Sequence, residues 1–222
     1  NMPNWLWDFE ARPISEDDKD NLKSYERISK RGFKGSLYKT DEFINQHPFG
    51  TVPAGFVGDE HLGVFESNSI LRAVARECKD KTLYGGEDIN LKSRIDSYLD
   101  ANLVFSREFQ VYLLELEDIT KYTYERTKSA YQFYMDGLEN SLSKNNFLAG
   151  DSLSIADISF VCEFAQFLRE GHYLNQLKSK NLSLISENFQ TDYPLTFKHF
   201  KNLCNKKEFS DVMGTYLDWY KM

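Results

Sequence analysis

A chain of 222 residues, 41% hydrophobic and 15% aromatic, has apolar volume for one or two cores and reads as globular rather than disordered. Its 27 lysines and arginines against 34 aspartates and glutamates give a formal charge of -7, which disfavours a phosphate backbone and argues against a nucleic-acid partner. No apolar run approaches the roughly 20 residues of a membrane span, and the opening "NMPNWLWDFEARP" lacks the basic-then-apolar order of a signal peptide, so no membrane association is expected.

The texture changes near residue 85. Before it, "SEDDKD" reads as a solvated turn or helix start, "SYERI" as a strand, "TDEFINQ" as a short helix and "HPFGTVPAGF" as a turn leading into an extended segment. This is α/β patterning. After "YGGEDIN" the Gly and Pro punctuation nearly vanishes, and "LKSRIDSYLDANLVFSREFQVYLLELE" places Ile95, Leu99, Leu103 and the Val104/Phe105 pair at helical spacing. A second long helix is predicted from near Ile119 to Lys144 through Tyr131, Tyr134, Leu138 and Leu142, a third from Ser154, and a fourth over "TFKHFKNLCN" after Pro194. Two domains follow, 1–84 and 90–222, the first α/β and the second all helical. The aromatic stripes of the helices read as core. The three cysteines, Cys78, Cys162 and Cys204, lie far apart and with the four histidines form neither a metal-ligand spacing nor an even disulfide set, which points to a reduced, cytoplasmic compartment.

Three stretches carry more than patterning. In "FLAGDSLSIADISF", Ser154 stands where it can accept the backbone N–H of Asp157 while the Asp157 carboxylate reaches back to the Ser154 N–H, a capping box, with Leu153 and Ile158 placed as a hydrophobic staple. That pattern speaks for folding rather than chemistry. In "PFGTVPAGF", Pro53 follows Val52 at a strand entrance, where a proline removes a ladder donor; a turn and a cis bond are both open. In "VFESNSILRAVAR", Glu66, Ser67 and Asn68 join an apolar strand to a helix, and the free N–H groups and positive dipole end there suit either a simple cap or a bound carboxylate.

Taken in order, "NQHPFGTVPAGF", "VFESNSILRAVAR" and "FLAGDSLSIADISF", with a helical half after "YGGEDIN", resemble the cytosolic glutathione transferases, over roughly 40–169. Within that superfamily "GTVPAGFVGDEHLGVFESNSI" and the terminal "KKEFSDVMG" look most like the transferase-like domain of elongation factor 1 gamma. The resemblance implies a thioredoxin-like N-terminal domain, an all-helical C-terminal domain, glutathione as co-substrate in the cleft between them, and a homodimer. It also implies site roles. Val52, before a cis Pro53, would pair its backbone with the cysteinyl part of glutathione; Ser67 and its N–H would receive the γ-glutamyl carboxylate, and Glu66 would face the ammonium group.

The departures from the family lie at the front, in "NMPNWLWDFEARPISEDDKDN". Family members place a Tyr, Ser or Cys after the first strand to stabilise the glutathione thiolate. Ser15 is the only such residue before Ser24, and the carboxylates of Glu16, Asp17 and Asp18 beside it disfavour a thiolate. Asn4, in "MPNW", is the other candidate, as the Asn-containing loop of the elongation-factor-like relatives. No apolar helix face follows, so either this layer is eroded or the chain as given omits residues between Trp5 and Tyr25. Two functions are carried forward. One is an enzyme that conjugates glutathione to a small hydrophobic electrophile, held against the aromatic-rich helix near Leu103 to Leu114. The alternative is a non-catalytic transferase-like interaction module of the elongation factor 1 gamma type.

Overall fold

The computed structural model describes residues 43–214 in full and, as backbone, residues 5–6, 11–13, 26–28, 36–39 and 41–42. Its chain divides into two compact units, Asn1–Glu77 and Cys78–Met222. The division falls ahead of the Gly85–Gly86 pair because the turn Lys81–Tyr84 already belongs to the helical unit: the Tyr84 hydroxyl donates to both carboxylate oxygens of Asp96 at 3.0 Å.

In the first unit, β1 (Trp5–Leu6), β5 (Ala54–Val57) and β6 (Leu62–Phe65) form one antiparallel sheet in the order β1-β5-β6. A second antiparallel sheet pairs β2 (Ala11–Pro13), β4 (Ser36–Lys39) and β3 (Glu26–Ile28) in the order β2-β4-β3. The strand read in "SYERI" and the helix read in "TDEFINQ" are present as β3 and as α1 (Asp41–Gln46). The partners of β3 in the second sheet, β2 and β4, have no counterpart in the sequence reading, since strands of three and four residues are too short to display alternation.

Phe43 of α1 packs edge-on against Phe56 of β5 with ring centroids 5.5 Å apart, and both are buried. Ala75 of α2 (Ser67–Glu77) is buried with them. Gly63 of β6 is demanded by this packing: a Cβ there would lie 2.0 Å from the backbone oxygen of Gln46 at the end of α1. Gly63→Ala is expected to destabilise this unit by about 1–3 kcal/mol through overpacking. Urea unfolding followed by hydrogen exchange of the β5 and β6 amides reads it; unchanged protection would refute it.

The second unit is all helical. The long helix α3 (Ile89–Glu115) starts at Asp88, whose carboxylate accepts the N–H groups of Asn90 and Leu91 at 2.9 and 3.0 Å. The helices α4 (Lys121–Leu142), α5 (Ile155–Phe167), α6 (Leu174–Ser179), α7 (Phe189–Asp192), α8 (Pro194–Cys204) and α9 (Lys207–Met213) follow. The predicted aromatic stripes form the core. Phe105 stacks on Tyr134 at 4.9 Å, and Phe164 meets Phe200 edge-on at 5.2 Å, arrangements that add to area burial.

One inward assignment on α3 is corrected. Ile95, Leu99, Phe105, Phe109 and Tyr112 are buried, and that repeat turns Val104 outward to 66% exposure and leaves Leu103 half-buried. The buried position next to them goes to Asn102, whose amide donates to Ser159 Oγ of α5 at 2.7 Å. Among the described residues no helix is long and apolar enough to cross a membrane.

Candidate functional site

The N-terminal unit brings two chain reversals together. After α1 the chain turns through "HPFGTVP", and the side chain that holds the turn is His47, which is fully buried. Its Nε2 accepts the Thr51 N–H at 3.1 Å and lies 3.1 Å from Thr51 Oγ1. Because the backbone N–H can only donate, Nε2 is the acceptor, and the loop leading into Val52 is pinned from inside. The Val52–Pro53 peptide bond is cis, and the Val52 side chain is 66% exposed. The same imidazole stacks flat on Phe65, with centroids 4.2 Å apart and planes 7° apart. Phe65 ends β6, so one buried ring supports both the Val52 loop and the β6–α2 junction. Sequence reasoning missed His47; its signal was a lone histidine in "NQHPF", and a single histidine more often belongs to a core than to a site.

At the second reversal, the helix does not start where a serine cap would put it. The Glu66 carbonyl accepts the first helical hydrogen bond, from Ile70 N–H at 3.0 Å, so Glu66 holds the cap position and Ser67 is the first residue of α2. Glu66 also has φ 67°, a left-handed conformation that a non-glycine residue adopts at a cost of about 1–3 kcal/mol. Strain of this kind persists where surrounding structure imposes it, and it clusters at ligand-holding turns. The arrangement places the Ser67 hydroxyl in the first turn, beside N–H groups that precede the helical ladder and at the positive end of the dipole, a setting suited to a carboxylate. Val52, Pro53, Glu66 and Ser67 therefore all lie on the two reversals that His47 supports. Asn4 and Ser15, the two thiolate-stabilising candidates, lie outside the described residues, as does "SEDDKD".

In the helical unit the sequence-read cap is built as a buried node. Asp157 Oδ2 accepts the Ser154 N–H at 2.9 Å and the Ser154 hydroxyl at 3.0 Å, while Ser154 Oγ accepts Ala156 N–H at 3.3 Å. Asp157 Oδ1 accepts Leu148 N–H at 2.9 Å and lies 2.9 Å from His199 Nε2 of α8. Burial pushes the Cys204 thiol up to about 12, so it supplies no thiolate near neutral pH.

Residues 108–207 match the family model "Glutathione S-transferase, C-terminal domain". A glutathione transferase from Phanerochaete chrysosporium, cocrystallized with 1-(S-glutathionyl)-2,4-dinitrobenzene, superposes with a TM-score of 0.64 over 83% of both chains at 19% identity. Another from that organism, solved with oxidized glutathione, gives a TM-score of 0.62 over 81% of this chain and 79% of its own, at 20% identity. The chain has the glutathione transferase fold. It comprises an α/β thioredoxin-like unit followed by an all-helical unit. In sequence this glutathione transferase-fold chain is similar to elongation factor 1-gamma. Elongation factor 1-gamma 1 of Oryza sativa subsp. japonica is 29% identical over 84% of this chain and 42% of its own length. Elongation factor 1-gamma of Rattus norvegicus is 26% identical over 81% of this chain and 38% of its own. The transferase-fold chain thus spans about two fifths of the length of these curated relatives.

Proposed function

We propose that this chain is a transferase-fold interaction module of the elongation factor 1-gamma type, which presents its helical unit to a protein partner of the translation-elongation machinery. The observation that carries the reading is the sequence similarity to elongation factor 1-gamma over 81–85% of the chain, whereas similarity to the solved transferases is one of fold. This reverses the order the sequence alone favoured, where conjugation of glutathione to a small hydrophobic electrophile came first. A cytoplasmic location and a homodimer belong to the same proposal.

The second reading keeps glutathione, and the geometry of the two reversals favours it. The Val52 backbone, presented before Pro53, would pair with the cysteinyl unit; Ser67 and its N–H would hold the γ-glutamyl carboxylate, and Glu66 would face the ammonium group. A carboxylate held by a hydroxyl and a helix start makes charge-assisted hydrogen bonds, so Ser67→Ala is expected to weaken glutathione roughly ten- to a hundredfold. Glu66→Gln removes the charge opposite the ammonium group and is expected to weaken it as well.

Calorimetric titration of glutathione into the wild type and both variants tests the site, and turnover of a chlorodinitrobenzene measured in parallel tests the enzyme. Under the module reading the chain sediments with purified elongation-factor subunits and shows no turnover above the uncatalysed rate. Turnover without such co-sedimentation overturns it in favour of the enzyme. No glutathione binding at millimolar concentration removes the site roles of Val52, Glu66 and Ser67.

A further inference from the structure

The turn that leads to Val52 is built from "HPFG". Pro48 and Gly50 hold its second and fourth positions, where a fixed φ and a permissive backbone suit a tight turn. Gly50 has φ 61°, and its N–H donates to the His47 carbonyl at 2.9 Å. The turn brings Thr51 back to the residue that began it, and the Thr51 N–H meets the His47 ring at 3.1 Å.

The direction of that hydrogen bond is informative. Thr51 is an exposed residue, and the amide of an exposed loop ordinarily donates to water; this one turns inward, to a side chain with 0% exposure. Around the imidazole lie Phe43, Phe49 and Phe65, with ring centroids 5.6, 6.4 and 4.2 Å away. Phenylalanine would fill such an aromatic setting without the desolvation cost of an imidazole, so packing does not explain the histidine. What phenylalanine lacks is the acceptor. The 7° stack on Phe65 fixes the ring plane, and only a neutral ring with its proton on Nδ1 accepts at Nε2.

We propose that His47 is a positioning residue for glutathione: through Thr51, its Nε2 fixes the Val52 main chain relative to the Glu66–Ser67 turn, which follows Phe65 directly. The inference rests on the glutathione reading above and adds to it the residue that sets the geometry of the cysteinyl half. With no exposed surface, His47 acts on the ligand only through the loop it holds. Main-chain recognition requires that loop to be placed to within about 0.5 Å beforehand, and a loop that must be ordered on binding binds more weakly.

Glutathione is titrated by calorimetry into the full chain as wild type, His47→Phe and His47→Gln, each below its melting temperature. His47→Phe keeps a ring on Phe65 but has no acceptor, and is expected to bind about tenfold more weakly. His47→Gln, whose amide oxygen can take the place of Nε2, should return to within about threefold of wild type. Loss of packing alone predicts the opposite order, since phenylalanine is the better replacement among aromatic rings. In the wild type, 15N NMR of the imidazole should find Nε2 unprotonated. Both variants binding like the wild type, glutamine binding more weakly than phenylalanine, or a protonated Nε2 each overturns the inference and leaves the glutathione site standing. A wild type that binds no glutathione at millimolar concentration removes the site itself, and this inference with it.

Discussion

Asp157→Ala is expected to destabilise the helical unit by about 3–5 kcal/mol, several times the ~1 kcal/mol of an ordinary helix cap. The carboxylate is fully buried and serves three segments at once. It holds the start of α5 through Ser154, the turn before it through Leu148 N–H, and α8 through His199. Removing it leaves two backbone donors and an imidazole in an environment without water, and each unsatisfied group adds about 1–3 kcal/mol. Ser154→Ala, which disturbs only the cap, should cost about 1 kcal/mol. Guanidinium unfolding followed by near-ultraviolet circular dichroism compares the two, and equal losses would show that the links to Leu148 and His199 add nothing. In the Asp157→Ala background, His199→Ala should cost less than it does alone, because the pair acts as one unit.

Glu170→Ala is the second large effect, again about 3–5 kcal/mol, since breaking a buried charged network strands its donors. Glu170 is fully buried in the turn after α5. It accepts the Tyr112 hydroxyl at 2.7 Å, Ile185 N–H at 3.1 Å, and both the N–H and hydroxyl of Ser186 at 2.8 and 2.6 Å. A pH signature separates this from simple loss of packing. Burial, the largest influence, pushes the Glu170 carboxyl above its ordinary value, against the hydrogen bonds from Ser186, Tyr112 and Ile185 that pull it down. A carboxyl raised in the folded state contributes stability that is complete below its unfolded pKa and is lost as pH rises through the folded value. The stability of the wild type relative to Glu170→Gln should therefore fall as pH is raised from about 4 toward neutrality. Urea melts of both proteins across that range test it; a difference that stays flat or grows with pH would sink the linkage.

The sequence alone determined what rests on neighbours within a few residues. The Ser154/Asp157 box, the α3 and α4 periods and the strand-to-helix junction at Glu66 and Ser67 are each set by local hydrogen bonding and side-chain spacing, and all were legible. So was the placement of Val52, Pro53, Glu66 and Ser67 on two chain reversals, because the proline and the polar run mark them. Only the tertiary structure decided the rest. Asp157 meets His199 across 42 residues and Tyr112 meets Glu170 across 58, separations that leave no period in the chain. The buried Asn102 sits where the pattern asked for an apolar residue because Ser159, 57 residues away, satisfies its amide. His47 acquired its role by stacking on Phe65, a contact between two elements that the sequence treats separately. Polar groups can be buried only where partners converge, and that convergence is a property of packed elements rather than of any one segment.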